Sequence, residues 1–241
     1  MIELKQLVKK FDKALAVDNI SFTVNKGEIL GLLGENGAGK TTTLRMLATM
    51  LTPTSGTALM AGVDIVKDPI KARSRVGILF GGESGLYDRL TVAENIRYFG
   101  ELNDIPLDVI KERTKKLADI FDMNDYLDKR AGKLSKGMRQ KASFARAIIH
   151  DPDILLLDEP TSGMDVSAIR DVQDFIMTLK NQGKTVLFSS HTMSEVEKLC
   201  DRIAVIHKGK LVAIGTLDQL KQEHGTDNMD ELFVKLVGGK S

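Results

Sequence analysis

The sequence predicts an α/β fold in which a parallel β-sheet carries an inserted block of α-helices. Short apolar runs begin near residues 76, 154, 185 and 203, and the last three alternate with stretches suited to helices. Between residues 91 and 150, helix formers dominate and strand patterns are absent. A β-α-β alternation is typical of parallel sheets, because parallel neighbours need a crossover connection. We therefore expect a helical insert at about residues 85–150 of such a core.

The remaining elements can be placed along the chain. Strands are expected at residues 2–8, 20–24 and 57–60, where they would form an N-terminal antiparallel β subdomain. An apolar strand at 28–33 ends at a Gly-rich turn, and residues 41–51 have helical spacing. The turn Lys208-Gly209-Lys210 suits a β-hairpin. We expect one nucleotide-binding domain over residues 1–222 and a weakly amphipathic C-terminal tail over 223–241.

The composition indicates a soluble protein of a reducing compartment. The 241 residues are 42% hydrophobic and 28% charged, with a formal net charge of +1. A nucleic-acid binder would more often show a basic excess, so no nucleic-acid partner is expected. The single cysteine excludes an internal disulfide. The N-terminus alternates apolar and polar residues and lacks the apolar core of a secretory signal. No segment approaches the length of a membrane span, so a role at a membrane would need a second chain.

One segment has the spacing of a phosphate-binding loop (Walker A): Gly34-Glu35-Asn36-Gly37-Ala38-Gly39-Lys40-Thr41, between a predicted strand and a predicted helix. Glycines let the backbone wrap a phosphate, toward which the N–H groups and the helix N-terminus then point. Lys40 is placed for the β- and γ-phosphates, the Thr41 hydroxyl for Mg²⁺, and Thr42 for the α-phosphate. The predicted nucleotide-binding residues of this segment are Asn36, Gly37, Ala38, Gly39, Lys40, Thr41 and Thr42.

A second motif supplies carboxylates. The apolar run at residues 154–157 ends in Asp158 and Glu159, which is the pattern of a Walker B strand. Ligands of parallel sheets bind at the carboxyl ends of the strands. We expect Asp158 to support Mg²⁺ through water and Glu159 to orient or deprotonate the attacking water. The expected substrate and metal are ATP and Mg²⁺.

Three further motifs accompany these two. They are Leu134-Ser135-Lys136-Gly137-Met138-Arg139-Gln140, Ser162-Gly163-Met164-Asp165 and Ser189-Ser190-His191. Their order, together with the helical insert, strongly resembles the nucleotide-binding subunits of ABC transporters over residues 2 to about 220. The resemblance implies a P-loop NTPase core of the ABC ATPase type.

This resemblance also assigns roles to residues outside the phosphate loop. It implies a head-to-tail homodimer with two ATP molecules, each held by the phosphate loop of one subunit and by Ser135 and Gly137 of the other. His191 corresponds to the switch histidine that contacts the γ-phosphate, and Asp165 to the acid that links the two sites. The residues alone predict that Ser135 caps the helix that follows it.

The family also places an aromatic residue about thirty positions before the loop lysine, where it stacks on adenine. Phe11 fits this position, and Val17 would be a nearby apolar contact. The alternative is that Phe11 is an ordinary packed hydrophobic residue.

The sequence departs from the common family pattern at two places. Lys136 and Met138 replace a glycine and a glutamine of the signature motif. After the strand at 76–80, Gly81 and Gly82 stand where a glutamine is usual. Either water fills that position or Glu83 reaches it, and we expect the two glycines to form a flexible joint to the insert.

These observations favour an ATPase subunit that powers export through a separately encoded membrane permease, at the cytoplasmic face of the membrane. The signature and insert resemble those of sodium-extruding (NatA-type) and drug-resistance exporters. One alternative is a soluble ABC ATPase of translation or DNA repair, although such proteins usually carry two cassettes or a long coiled coil. Another is a non-hydrolysing regulatory subunit, although Glu159 and His191 are both present.

Overall fold

The structure is a computed structural model that describes residues 1–12, 14–80 and 85–238. Its strands are β1 (Ile2–Phe11), β2 (Ala14–Val24), β3 (Ile29–Leu33), β4 (Ser55–Met60), β5 (Val63–Asp64), β6 (Val76–Leu79), β7 (Ile154–Asp158), β8 (Thr185–Ser190), β9 (Arg202–His207) and β10 (Lys210–Gly215). Its helices are α1 (Lys40–Leu47), α2 (Pro69–Arg73), α3 (Val92–Glu101), α4 (Leu107–Phe121), α5 (Lys136–Ile148), α6 (Val166–Asn181), α7 (Met193–Leu199), α8 (Leu217–His224) and α9 (Met229–Gly238).

Two sheets form the framework. The antiparallel sheet has the order β2-β1-β4-β5, and the larger sheet has the order β10-β9-β3-β8-β7-β6. All neighbours from β9 to β6 pair in parallel, whereas β10 pairs antiparallel with β9 through the hairpin turn. The predicted α/β fold with an N-terminal antiparallel β subdomain is therefore confirmed.

The helical insert packs on the core through aromatic side chains. Helices α3, α4 and α5 all lie within the range predicted for the insert. Phe121 of α4 and Phe144 of α5 contact Phe175 of α6, with ring centroids 4.3 and 5.7 Å from it. Such ring pairs add about 0.5–1.5 kcal/mol each beyond the area they bury. The insert is thus attached to the core helix that follows the Walker B strand.

Several boundaries differ from those predicted. Helix α1 ends at Leu47 rather than at residue 51, because the chain turns left-handed at Thr49 (φ 57°). Strands β1 and β2 extend through most of residues 2–24. The short β5 and α2 are not among the predicted elements, although Asp68-Pro69 is a helix-start signal for α2. The boundary between residues 222 and 223, expected to begin the tail, lies inside α8.

Helix α9 forms part of the core. Met229 and Leu232 of α9 are buried with the hydrophobic cluster that also contains Leu199 and Leu220. None of the helices in the described part of the chain combines the length and apolar character needed to cross a membrane.

Candidate nucleotide-binding site

Three adjacent strands deliver the candidate site to one edge of the larger sheet. β3, β8 and β7 are hydrogen-bonded neighbours, and all three run in the same direction. The phosphate loop follows β3, Asp158 ends β7, and His191 follows β8. The register sets Asp158 opposite Ser189. The parallel pairing therefore brings together residues that are far apart in the sequence.

The phosphate loop needs glycine at Gly39 for two separate reasons. Its φ of 110° lies in the region that disfavours a side chain, and an added Cβ would lie 2.5 Å from the carbonyl oxygen of Ala16. Gly37 also has a positive φ, of 81°, and its Cβ position is open. The Gly209 N–H donates to the Ala38 carbonyl oxygen at 2.9 Å, so the β9–β10 turn supports the loop from below. Backbone N–H groups at the start of α1 can then face an anion.

Lys40 lies buried within the loop, with 5% of its surface exposed. Its Nζ donates to the carbonyl oxygens of Gly34 at 2.6 Å and Glu35 at 3.1 Å. Burial lowers the pKa of the ammonium, and the carboxylates of Glu159 and Asp158 partly oppose that shift. The loop lysine and the Walker B carboxylates therefore lie close enough to interact electrostatically.

The residues predicted for Mg²⁺ meet directly. Thr41 Oγ1 donates to Asp158 Oδ2 at 2.8 Å, and Ser189 Oγ donates to Asp158 Oδ1 at 2.5 Å. A hydroxyl and a carboxylate at the mouth of a phosphate loop are the oxygen donors that Mg²⁺ takes in P-loop proteins, where phosphates and water complete the shell. Across the described residues, no group of three or more His, Cys, Asp or Glu forms an alternative all-protein metal site. The donor set fits Mg²⁺ held together with a nucleotide.

Glu159 and His191 face each other beside this pair. Glu159 Oε1 lies 3.3 Å from His191 Nδ1. Glu159 has a φ of 46°, an unusual conformation for a residue with a side chain. Its N–H is held by the carbonyl oxygen of Ser189 at 3.2 Å and by the Ser189 hydroxyl at 3.1 Å. The fold thus fixes a strained backbone at the carboxylate that sequence reasoning placed next to the attacking water.

Ser189 is a site residue that sequence reasoning missed. Its hydroxyl contacts both Asp158 and the backbone of Glu159. The available signal was its position at the end of an apolar strand, immediately before the Ser190-His191 pair. The β7–β8 register that sets it opposite Asp158 is a property of the fold and not of either segment alone.

Of the two residues predicted to contact adenine, one lies beside the phosphate loop and the other lies away from it. Val17 is fully buried, and its Cγ2 would lie 3.6 Å from a Cβ on Gly39. Phe11 lies at the far end of the β1–β2 hairpin with 43% of its surface exposed. The Lys9 ammonium lies 5.1 Å from the centre of the Phe11 ring. The alternative of a packed core residue at Phe11 does not match this exposure.

The other predicted residues lie at helix N-termini. Ser135 Oγ accepts the Met138 N–H at 3.3 Å, which confirms the predicted cap of α5. Asp165 caps α6 in the same way, accepting the Ala168 N–H at 2.9 Å. Gly137 lies in the first turn of α5. Within the described chain, no hydrogen bond or ion pair joins these three residues to the phosphate loop.

Asn36 and Thr42 are the remaining predicted residues of the phosphate loop. The side chains of Asn36 and Thr42 make no hydrogen bond to other described residues. Gly81, Gly82 and Glu83, proposed as a joint and a replacement for the usual glutamine, lie outside the described residues.

Comparison with known proteins agrees with this geometry. The family model described as ABC transporter matches residues 17–162. The ABC transporter ATP-binding protein NatA of Bacillus subtilis is 48% identical over 246 aligned residues, which cover 100% of both chains. The daunorubicin/doxorubicin resistance ATP-binding protein DrrA of Streptomyces peucetius is 38% identical over 94% of this chain and 68% of its own.

Solved structures agree as well. The structure of an ATP-binding subunit of an ABC transporter superposes with a TM-score of 0.90 at 28% identity, covering 98% of this chain and 99% of that one. A dimeric ATP-binding cassette in a post-hydrolysis state with ADP and Pi shares the fold, with a TM-score of 0.82 at 22% identity over 90% of this chain and 99% of its own. The chain therefore belongs to the ABC transporter family, as an ATP-binding subunit.

Proposed function

We propose that this chain hydrolyses ATP in a Mg²⁺-dependent reaction and thereby drives export through a separate membrane-spanning permease. The observation that carries the proposal is the meeting of two pairs at one sheet edge: Thr41 with Asp158, and Glu159 with His191. The first pair suits a metal-bound phosphate, and the second suits activation of water.

The proposed chemistry assigns a separate task to each group. The loop N–H groups and Lys40 bind the β- and γ-phosphates, which fixes the nucleotide beside the carboxylates. Thr41 and Asp158 would hold Mg²⁺, which would neutralise part of the phosphate charge. Glu159 accepts a proton from the attacking water, and His191 holds the γ-phosphate side of the water site. At the adenine end, Phe11 provides an exposed ring for stacking, and fully buried Val17 packs beside the loop at Gly39.

The proposed active form is a homodimer in which each site is shared. Ser135 and Gly137 would bind the nucleotide held by the partner's loop, and Asp165 would link the two sites. Ser135 and Asp165 are both exposed, as this arrangement requires. One solved structure that shares the fold is dimeric, which supports a dimer here.

The permease would receive force through the helical insert on the cytoplasmic side of the membrane. Tyr87 lies at the start of the insert, half exposed, with its ring edge-on to Tyr98 at 5.3 Å. It is thus packed on one side and available on the other, which suits an interface anchor. One relative is named NatA, and the sequence resembles the sodium-extruding exporters of that type. Another is named for resistance to daunorubicin and doxorubicin. Sodium ions or a drug are therefore the proposed cargo classes.

Phosphate release from ATP by the purified chain tests the hydrolytic part of this proposal. Activity should require Mg²⁺, disappear on chelation, and fall strongly in Lys40→Ala. Wild-type nucleotide binding without any Mg²⁺-dependent release, alone or with its permease, would instead support the non-hydrolysing alternative. Stimulation by a co-purified membrane protein would separate a transporter subunit from a soluble ATPase of translation or repair.

A further inference from the structure

A buried carboxylate outside the predicted site joins two of its segments. Glu195, in the first turn of α7, has only 8% of its surface exposed. Its Oε2 accepts the Ser190 hydroxyl at 2.7 Å, and its Oε1 accepts a short hydrogen bond from Thr161 Oγ1. Thr161 and Ser190 are themselves buried, with 7% and 2% exposed. We refer to these three side chains as the Glu195 clamp.

The clamp holds the two ends of the proposed hydrolytic pair. Thr161 follows Glu159 by two residues, and Ser190 directly precedes His191. Glu159 and His191 approach each other at 3.3 Å between these two anchored points. One carboxylate therefore ties the segment after β7 to the segment at the end of β8, at the place where both leave the sheet.

Burying this carboxylate does not by itself stabilise the fold. A buried charge is costly unless it is paired or well hydrogen-bonded. In the described chain, no basic side chain forms an ion pair with Glu195. Its charge is compensated by two hydroxyl donors and by its place in the first turn of α7. An apolar side chain could fill the same volume but could not bridge the two hydroxyls.

We propose that Glu195 is a positioning residue for ATP hydrolysis, which sets the distance between Glu159 and His191 by holding Thr161 and Ser190. This inference depends on the hydrolytic function proposed above. The nucleotide-binding loop lies outside the clamp, because the Lys40 and Thr41 contacts involve other partners. Loss of the clamp should therefore reduce turnover and leave nucleotide affinity intact.

Two substitutions separate positioning from simple loss of structure. Glu195→Ala removes both acceptors and leaves two buried hydroxyls without their partner. Glu195→Gln preserves the bridge, because the amide oxygen can accept from Thr161 while the amide nitrogen donates to Ser190 Oγ. Ser190 can then turn its own proton to the Thr192 carbonyl oxygen, which lies 3.4 Å away. Glu197→Ala is the matched control, since Glu197 is an exposed carboxylate of the same helix.

The experiment measures kcat for Mg²⁺-ATP, the Kd of a non-hydrolysable ATP analogue, and Tm for each variant. A displacement of reacting groups by about 1 Å can cost on the order of 100-fold in rate, so Glu195→Ala should lower kcat by about 10- to 100-fold. Its Kd should stay within about twofold of wild type, a difference of only about 0.4 kcal/mol. Glu195→Gln should recover most of the turnover, and Glu197→Ala should match wild type.

Three outcomes for the Glu195 variants overturn the inference. The first is wild-type kcat in Glu195→Ala, and the second is failure of Glu195→Gln to recover activity. The third is a parallel loss of kcat and affinity, which indicates a general structural role. If Glu195→Ala does not fold, Thr161→Val removes one clamp hydroxyl at nearly constant shape, and an unchanged kcat there overturns the inference too. A wild-type chain that is inactive both alone and with its permease instead refutes the proposed hydrolysis, and the clamp proposal with it.

Discussion

Replacing Glu159 with glutamine tests the assignment of the general base most directly. The change removes a carboxylate that can accept a proton and puts an amide of nearly the same size in its place. The amide oxygen can still face His191 at the observed 3.3 Å. The backbone contacts of residue 159 to Ser189 do not involve the side chain and should persist.

The expected effect is large on rate and small on stability. Loss of a positioned general base typically costs about 10²–10⁴-fold in kcat. That loss corresponds to about 3–5 kcal/mol of transition-state free energy. Folding stability should change by no more than about 0.5 kcal/mol, since the side chain is partly exposed and no cavity is created. The phosphate loop is unaltered, so nucleotide affinity should be retained.

Single-turnover and steady-state phosphate release give the rate, and size-exclusion chromatography with Mg²⁺-ATP gives the oligomeric state. We expect Glu159→Gln to bind ATP, fail to hydrolyse it, and elute as a nucleotide-dependent dimer. Glu197→Gln serves as the matched control, because Glu197 is an exposed carboxylate in a surface ion pair with Lys221. Hydrolysis by Glu159→Gln at the wild-type rate would refute the assignment of the base.

Two further predictions concern the loop and the core. Gly39→Ala should abolish tight ATP binding and destabilise the fold by about 2 kcal/mol, because the new Cβ meets a left-handed backbone and the Ala16 carbonyl oxygen. Nucleotide titration and thermal melting check both effects. Tyr126→Phe should raise Tm by up to about 3 °C, because the buried Tyr126 hydroxyl has no hydrogen-bond partner among the described residues and burial raises its pKa to about 12. A lower Tm in that variant would contradict the reasoning.

The sequence predicts those parts of the site whose chemistry is local. The loop Gly34–Thr41 carries its own spacing, and its strand and helix neighbours follow from short-range patterns. Asp158 and Glu159 are likewise readable at the end of an apolar run. Parallel pairing then brings the ends of β3, β7 and β8 to one edge, a consequence of the fold class rather than of any single segment.

Other features of the site arise only from pairing between distant segments. Ser189 lies opposite Asp158 because of the β7–β8 register. Glu195 meets Thr161 across 34 residues of sequence, and nothing in either segment signals the contact. The positive φ of Glu159 is a conformation that no residue-type pattern encodes at that position. Tertiary structure sets these features, and no local sequence pattern predicts them.

Asp165 has a local structural role, capping α6, and a separate proposed role in the dimer. Its carboxylate caps α6 by accepting the Ala168 N–H, and this contact alone would explain an Asp at that position. The proposed dimer gives it a second task, the link between the two sites. Serine is an equally good N-cap, so Asp165→Ser keeps the first role and removes the second.

The same substitution at Asp68 provides the control. Asp68 caps α2 by accepting the Lys71 N–H at 3.1 Å, remote in sequence from the site motifs. Both serine variants should keep their stability within about 0.5 kcal/mol, because the cap survives. Only Asp165→Ser should lower ATP turnover, by about tenfold, a typical coupling of about 1.4 kcal/mol between two sites. If turnover is unchanged in both variants, capping is the whole role of Asp165, and the link across the dimer must be carried by other residues.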